Sequence, residues 1–186
     1  MRIIGGRLKG RVLKAPASDA IRPTSDRLRE SIFNILAHNH PEHLAGTVVD
    51  LFAGTGAMGI EALSRGARKA LFVDDGSEAR ALIRANIDAL GLGGQTRVFR
   101  RDARKLGLAP AGERYDLAFL DPPYGKGMAV SALVALHDGG WLVADALVVI
   151  EEAANTPIDL PQGYDAIETR VYGDTQVVFA KIISPN

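Results

Sequence analysis

The chain has 186 residues, 47% hydrophobic and 24% charged, with 22 basic and 22 acidic side chains and no cysteine. That is enough for a domain with a real core, and the missing cysteines exclude disulfides and thiolate chemistry, so a reducing cytoplasm is the expected location. No run approaches the roughly 20 apolar residues that span a bilayer, and MRIIGGRLKG lacks the apolar stretch of a signal peptide, so no membrane partner is expected. The charge is unevenly spread. Residues 1–30 carry eight Arg or Lys against three acids, a balance of +5, which leaves −5 for the remainder. A basic arm on a mildly acidic body fits either a polyanionic partner or a plain solvated terminus.

In chain order, RIIGGRLKGRVLKAP reads as a small hairpin with Gly-Gly and Lys-Gly turns. Residues 16–23 read as a loop. TSDRLRESIFNILAHN reads as a helix with Thr24 or Ser25 as N-cap and Leu28, Ile32, Ile35 and Leu36 on one face. PEHLAG is a second loop. From Thr47 strands and helices alternate. TVVDLF, KALFVD, TRVFRR, YDLAFL and ALVVIEE are expected strands. GAMGIEALSRG, SEARALIRANIDALG, a short ARKLG and KGMAVSALVALHDGG are expected helices. YDAIETRVY and TQVVFAKII form a closing antiparallel pair across a Gly-Asp turn. The alternation predicts an α/β fold, a seven-stranded, mostly parallel sheet with helices on both faces and a C-terminal antiparallel hairpin.

VVDLFAGTGAMG follows the first strand. Gly54, Gly56 and Gly59 fit the G-x-G-x-x-G pattern of a tight turn that lets a ligand approach the backbone beside a helix N-terminus. Asp74 lies 20 residues after Gly54, at the end of the second strand, where a carboxylate can accept from ribose hydroxyls. The pair indicates an adenosine-containing ligand, and a purely structural turn is the competing reading. Asp50 would repel a pyrophosphate and welcome a cationic or ammonium-bearing ligand. Asp102 in RRDA could accept from an adenine amino group, and it could equally cap the short helix after it.

LDPPYG ends the fourth strand. Pro122 and Pro123 lack N–H groups and hold Asp121 extended. Asp121 should therefore lie at the same sheet edge as Asp50, Gly54, Asp74 and Asp102, where ligands of parallel sheets bind. A carboxylate and the Pro122 carbonyl can take the two hydrogens of an exocyclic amine while Tyr124 stacks on its ring. A strand stop with a core tyrosine is the plainer alternative.

With VDLFAGTGAMGIEALSRGA, FVDDGSEA, RRDA, LDPPYG and the N-terminal RPTSDRLRESIFNIL, nearly the whole chain resembles the RsmD family of 16S ribosomal RNA (guanine-N2)-methyltransferases. The resemblance implies a Rossmann-like class I methyltransferase domain over 46–186 and an RNA-binding hairpin-and-helix extension over 1–45. It implies S-adenosylmethionine as cofactor. Phe52, Ala53, Gly54 and Gly56 would wrap the methionine part and Asp50 would serve its ammonium. Asp74 falls on the ribose position, while Asp102 and the Ala103 amide would meet adenine. Gly76 replaces an Asp common in the family, a departure expected to remove a helix cap. Asp121, Pro122, Pro123 and Tyr124 would hold the target base, which must be extruded from its stack. The implied partner is 16S ribosomal RNA or an assembling small subunit, met beside the pocket by Arg7, Lys9, Arg11, Arg22, Arg27 and Arg29. No metal is expected, and the protein is expected to be monomeric. DPPY is shared with DNA adenine and cytosine amino-methyltransferases, so these targets remain open, as do another RNA base, a nicotinamide dehydrogenase and a non-enzymatic RNA-binding module. His38, His40 and His43 read as solvated, Trp141 as packing, and Met58 as core near the cofactor.

Overall fold

A computed structural model describes residues 1–21 and 23–183. Its elements are α1 (Asp26–Asn39), α2 (Pro41–Leu44), β1 (Thr47–Leu51), α3 (Ala57–Ser64), β2 (Lys69–Val73), α4 (Ser77–Leu90), β3 (Thr96–Phe99), β4 (Tyr115–Leu120), α5 (Met128–Asp138), β5 (Leu142–Ala153), β6 (Tyr164–Tyr172) and β7 (Thr175–Ile182). The sheet order is β3-β2-β1-β4-β5-β7-β6. β1 to β5 pair in parallel, and β7 runs antiparallel to both β5 and β6. The hairpin's second strand thus lies inside the sheet, and β6, exposed along most of its length, forms the edge. This is a Rossmann-like class I arrangement.

Strand side chains alternate between faces, and the sheet consequently separates two cores. Val48, Phe72, Leu117, Phe119, Val149 and Phe179 pack with Ile32, Phe33 and Leu36 of α1, Ile60 of α3 and Ile83 of α4. Val49, Leu71, Ala118, Leu120, Val148 and Ile150 pack with Leu133 and Leu136 of α5 and with Trp141. Trp141 is fully buried and donates its indole N–H to the Gly107 carbonyl at 2.8 Å. Ile3, Leu8 and Leu13 of the hairpin belong to the first core. Residues 1–45 therefore share a core with the sheet rather than standing as an independent body.

Two local expectations change. PEHLAG contains the four-residue α2, whose first turn begins at Pro41, where the proline's fixed φ suits a helix start. ARKLG forms no helix. Asp102 Oδ1 accepts the Arg104 N–H at 2.9 Å, and Arg101 donates to the Leu106 carbonyl at 2.9 Å. These side chains satisfy the backbone locally, and Gly107 then turns away at φ +70°. His40 also departs from the solvated reading. It stacks on Phe179 with ring centroids 6.2 Å apart, and burial lowers its pKa. His43 contacts the Asp145 carbonyl through Nε2 at 2.9 Å.

The predicted hairpin reduces to one bridge, Arg2 with Val12. Its arms exchange backbone hydrogen bonds from the Ile3, Gly10 and Leu13 N–H groups to the Arg11, Ile3 and Met1 carbonyls at 2.8–2.9 Å, and α3 holds the hairpin to the body. A Cβ on Gly6 would lie 1.9 Å from the Ser64 carbonyl oxygen, so only glycine permits the contact. Glu61, fully buried, accepts from the Ile4 and Gly5 amides at 2.9 and 3.0 Å and pairs with Arg65 at 2.9 Å and Arg29 at 3.3 Å. Arg29 also pairs with Asp26 at 2.8 Å and donates to the Arg2 carbonyl. It is 0% exposed. Arg29 therefore cannot reach RNA phosphates, and its assignment to the RNA contact is corrected. Its positions relative to Ile32 and Phe33, three and four residues on, place it on the apolar face of α1. Arg29→Ala is expected to destabilise the fold by about 3 kcal/mol, because it leaves a buried carboxylate short of a partner. Denaturant titration checks this. An effect within ~0.5 kcal/mol, typical of a surface change, would contradict it.

Candidate functional site

β1 and β4 are neighbours at the point where strand order reverses, and a cleft of ≈ 610 Å³ opens outside their carboxyl ends. Its floor is the turn between β1 and α3. Phe52 has φ 56°, an unfavourable conformation for a bulky residue, and Gly54 and Gly56 have φ 58° and 79°. The turn is pinned from β2, since Asp74 Oδ2 accepts the Gly54 N–H at 2.9 Å. Asp74 Oδ1 accepts the Gly76 N–H at 2.9 Å. Gly76 occupies the N-cap of α4 without a side-chain cap, as the departure from the family pattern implied. Gly59 has a different role. A Cβ there would meet the Phe72 ring at 2.5 Å, so this glycine sets the approach of α3 to β2.

Asp50 lies under the loop, 2% exposed, and accepts the Gly59 N–H at 3.0 Å. Burial pushes its pKa up to about 8; the Gly59 bond opposes this and nearby Asp74 adds to it. The folded state thus keeps a proton on Asp50 between pH 4 and 8, where an unfolded chain has released it. Stability must fall as pH rises through that window and level off above it. Replacing Asp50 with Asn removes this contribution. The stability difference between wild type and Asp50→Asn is expected to shift in favour of the variant by several kcal/mol from pH 4 to 8. Denaturant titrations across that range measure it, and a constant difference would contradict the assignment.

The segment before α1, read as a plain loop, forms one wall. Lys14 N–H donates to Asn86 Oδ1 at 2.8 Å and Ser18 Oγ to Glu78 Oε2 at 2.6 Å, which lays the chain along α4. Asp19, Ala20, Ile21 and Thr24 then line the cleft. Ile21 reaches within 3.2 Å of where a Gly54 Cβ would stand. Met58 is buried and lines the cleft as well.

Asp121, Pro122, Pro123 and Tyr124 form the opposite wall. Thr24 Oγ1 lies 2.9 Å from Asp121 Oδ2 and 3.2 Å from Glu151 Oε2, while Tyr124 donates its hydroxyl to Glu151 Oε1 at 2.7 Å. The same hydroxyl lies 2.9 Å from Thr175 Oγ1. Gly125 N–H donates to Glu152 Oε1 at 2.9 Å. Four segments thus hold the DPPY turn: the start of α1, β4, the end of β5 and the start of β7. Thr24 was read from the sequence only as a candidate helix cap, and Glu151 and Thr175 were not singled out. The signal available for Glu151 was its position, an acid at the end of the fifth strand and so at the edge of Asp50, Asp74 and Asp121.

Asp102 and Ala103 line an adjoining cleft of ≈ 140 Å³ that shares Phe52, Asp74 and Pro123 with the main one. Arg104 grips the Asp102 carboxylate at 3.0 and 2.8 Å and lowers its pKa. The cap reading of Asp102 falls with the missing helix, and its side chain stabilises a turn.

The cleft's charge is one-sided. Asp19, Asp50, Asp74, Asp75, Glu78 and Asp121 line it, and among the described residues no Lys or Arg does. The basic residues singled out from the sequence are scattered. Arg27 is exposed on the first turn of α1. Arg7, Lys9 and Arg11 are exposed on the hairpin, which sits at the far end of α3 from the cleft. Arg22 lies outside the described residues. Among the described residues no group of three or more His, Asp or Glu could hold a metal ion, and no helix is long and apolar enough to cross a membrane.

A family model described as conserved hypothetical protein 95 matches residues 1–181. YlbH of Bacillus subtilis (strain 168) is 38% identical over 187 residues, covering 97% of this chain and 98% of the relative. Ribosomal RNA small subunit methyltransferase D of Escherichia coli (strain K12) is 38% identical over 175 residues, covering 93% and 85%. The solved structure of yhhF from Escherichia coli superposes with a TM-score of 0.85 at 33% identity, covering 98% of both chains.

Proposed function

The chain belongs to the family described as conserved hypothetical protein 95, the RsmD family, and on that premise we propose that it methylates the exocyclic N2 amine of a guanine in 16S ribosomal RNA. The observation that carries the chemistry is the pairing of a carboxylate-lined cleft with a rigid DPPY wall. S-adenosylmethionine would supply a methyl group on a positively charged sulfur and also bears an ammonium, so the ionised carboxylates of Asp19, Asp74, Asp75, Glu78 and Asp121 favour it. A nicotinamide dinucleotide would bring its pyrophosphate against those same carboxylates. The residues present therefore suit the cofactor. Gly54 and Gly56, with Phe52 and Ala53, would admit its methionine part closely, Asp74 would take the ribose, and Ala103 and Asp102 would border the adenine. Asp50 would serve the ammonium, which would draw the proton from its buried carboxyl.

At the other wall, Asp121 and the Pro122 carbonyl accept the two amine hydrogens of the extruded base. This turns the nitrogen lone pair toward the methyl carbon. Methyl transfer would form the N–C bond as the S–C bond breaks, and the Asp121 carboxylate would stabilise the positive charge that moves onto the nitrogen. One amine proton then leaves through that carboxylate or to water. Tyr124 stacks on the ring and fixes its plane. Alignment contributes heavily, because in-line attack needs the reacting atoms ~3–3.5 Å apart. Arg27, exposed on the first turn of α1, would be available to a nearby phosphate.

Nucleoside mass analysis of 16S RNA from cells with and without the gene tests the reading. Loss of N2-methylguanosine supports it. Loss of a different methylated nucleoside would retain the methyltransferase and overturn the target. Unchanged RNA combined with methyl transfer to DNA would favour the DNA amino-methyltransferase alternative.

A further inference from the structure

A second cleft, of ≈ 230 Å³, lies at the amino ends of the parallel strands, where Thr47, Lys69, Thr96 and Tyr115 begin β1, β2, β3 and β4. This is the sheet edge opposite the acid-lined site, roughly 17 Å away along a five-residue strand at ~3.4 Å per residue. Lys69, Arg97 and Arg114 line it and are exposed. The hairpin brings two more cations to this end. Arg7 donates to Gln95 Oε1, a residue of the cleft, at 3.0 Å, and Arg11 donates to the Ala89 carbonyl at 3.1 Å. Arg68, next to Lys69, pairs with Asp116 at 4.0 Å while its side chain stays 70% exposed. The acids nearby are Asp88, Glu113 and Asp116. Glu113 is paired with Arg97, and Asp116 accepts from the Thr47 N–H and hydroxyl at 2.8 and 3.0 Å. Among the described residues, Arg7, Arg11, Lys69 and Arg114 form no ion pair.

The acid-lined cleft itself holds no cation among the described residues, although Arg101 and Arg104 line the small cleft beside it. A nucleic acid offering a base to that cleft brings phosphates toward its ionised carboxylates, so attraction for the backbone must come from outside it, and the amino edge carries an excess of cations.

We propose that the amino-edge cleft, with Arg7, Lys69 and Arg114 at its rim, is a second RNA-backbone site that binds a segment remote from the target base. This rests on the reading of the chain as a ribosomal RNA methyltransferase. Because the two sites open at opposite sheet edges, the backbone bound here is a different stretch of RNA from the one that carries the target base. Exposed guanidinium and ammonium groups suit phosphate oxygens without sequence preference.

The test compares two RNAs, a short hairpin carrying the target guanine and whole 16S RNA, with wild type and the triple variant Arg7→Ala, Lys69→Ala, Arg114→Ala. The variant is expected to bind 16S RNA at least ~10-fold more weakly, with a log–log salt slope shallower by about 2–3, as loss of three phosphate contacts implies. Its affinity for the hairpin, its cofactor affinity and its kcat on saturating hairpin should match wild type. Equal losses on both RNAs, or no loss on 16S RNA, would overturn the proposal. If the triple variant melts early, Lys69→Glu alone replaces it under the same expectations. Wild-type protein that binds 16S RNA through this face yet methylates neither RNA would sink the functional reading and leave the binding site standing.

Discussion

Asp121→Ala is expected to lower kcat by ~10²–10³-fold, the usual loss when one aligned group facing transition-state charge is removed. Affinity for S-adenosylmethionine should change little, since the glycine loop, Asp50 and Asp74 form the floor of the cleft and not the DPPY wall. The reason is differential. The carboxylate meets a neutral amine in the ground state and a cationic nitrogen in the transition state, so its contribution grows along the reaction. Asp121→Asn keeps an acceptor oxygen but loses the charge, and should fall between wild type and alanine. Single-turnover methyl transfer to 16S RNA, with calorimetry of cofactor binding, separates the steps. A variant that reacts at the wild-type rate while binding cofactor poorly would assign Asp121 to the cofactor.

Glu151 should be the next most sensitive position. Its carboxylate is 6% exposed and receives the Tyr124 hydroxyl at 2.7 Å, with Thr24 Oγ1 at 3.2 Å. Through Thr24 it is one hydroxyl away from Asp121. It touches neither base nor cofactor in this reading. It is a positioning residue that sets the tyrosine ring plane and the carboxylate rotamer. Glu151→Ala is expected to reduce kcat by ~10²-fold, as small misplacements near a reacting centre do. Glu151→Gln, which preserves an acceptor for Tyr124, should recover much of that loss. The KM for cofactor should stay constant in both. Equal losses in alanine and glutamine variants, tracking lost thermal stability, would reduce Glu151 to a structural role.

Most of the fold was readable because its signals are local. Apolar runs such as YDLAFL match β4 residue for residue. Ser25 caps α1 through the Leu28 N–H at 3.1 Å, one of the two caps expected. The glycine loop and the acids of the cleft were readable too, since glycines and acids at strand ends fall on one edge once the strands are parallel. The basic arm was not. Charge counted along residues 1–30 treats all eight cations alike. Arg29 nevertheless turns inward to Glu61, 32 residues later, and Arg7 is carried by Ser64 to the far edge of the sheet. Neither partner stands near its arginine in the chain. ARKLG failed for the opposite reason, because Asp102 and Arg101 offered the backbone local bonds that compete with a helix.

By itself, then, the order of residues determined the secondary elements, the parallel sheet and the carboxylates that meet at its carboxyl edge. These depend on periodicity and on the rule that successive parallel strands end together. Only the tertiary structure decided which cations are exposed, where the N-terminal hairpin rests, and that Thr24, Glu151 and Thr175 lock the DPPY wall. Those outcomes depend on contacts between residues 27 to 127 positions apart. Burial and charge pairing at such range are properties of the packed chain and leave no periodic trace in it.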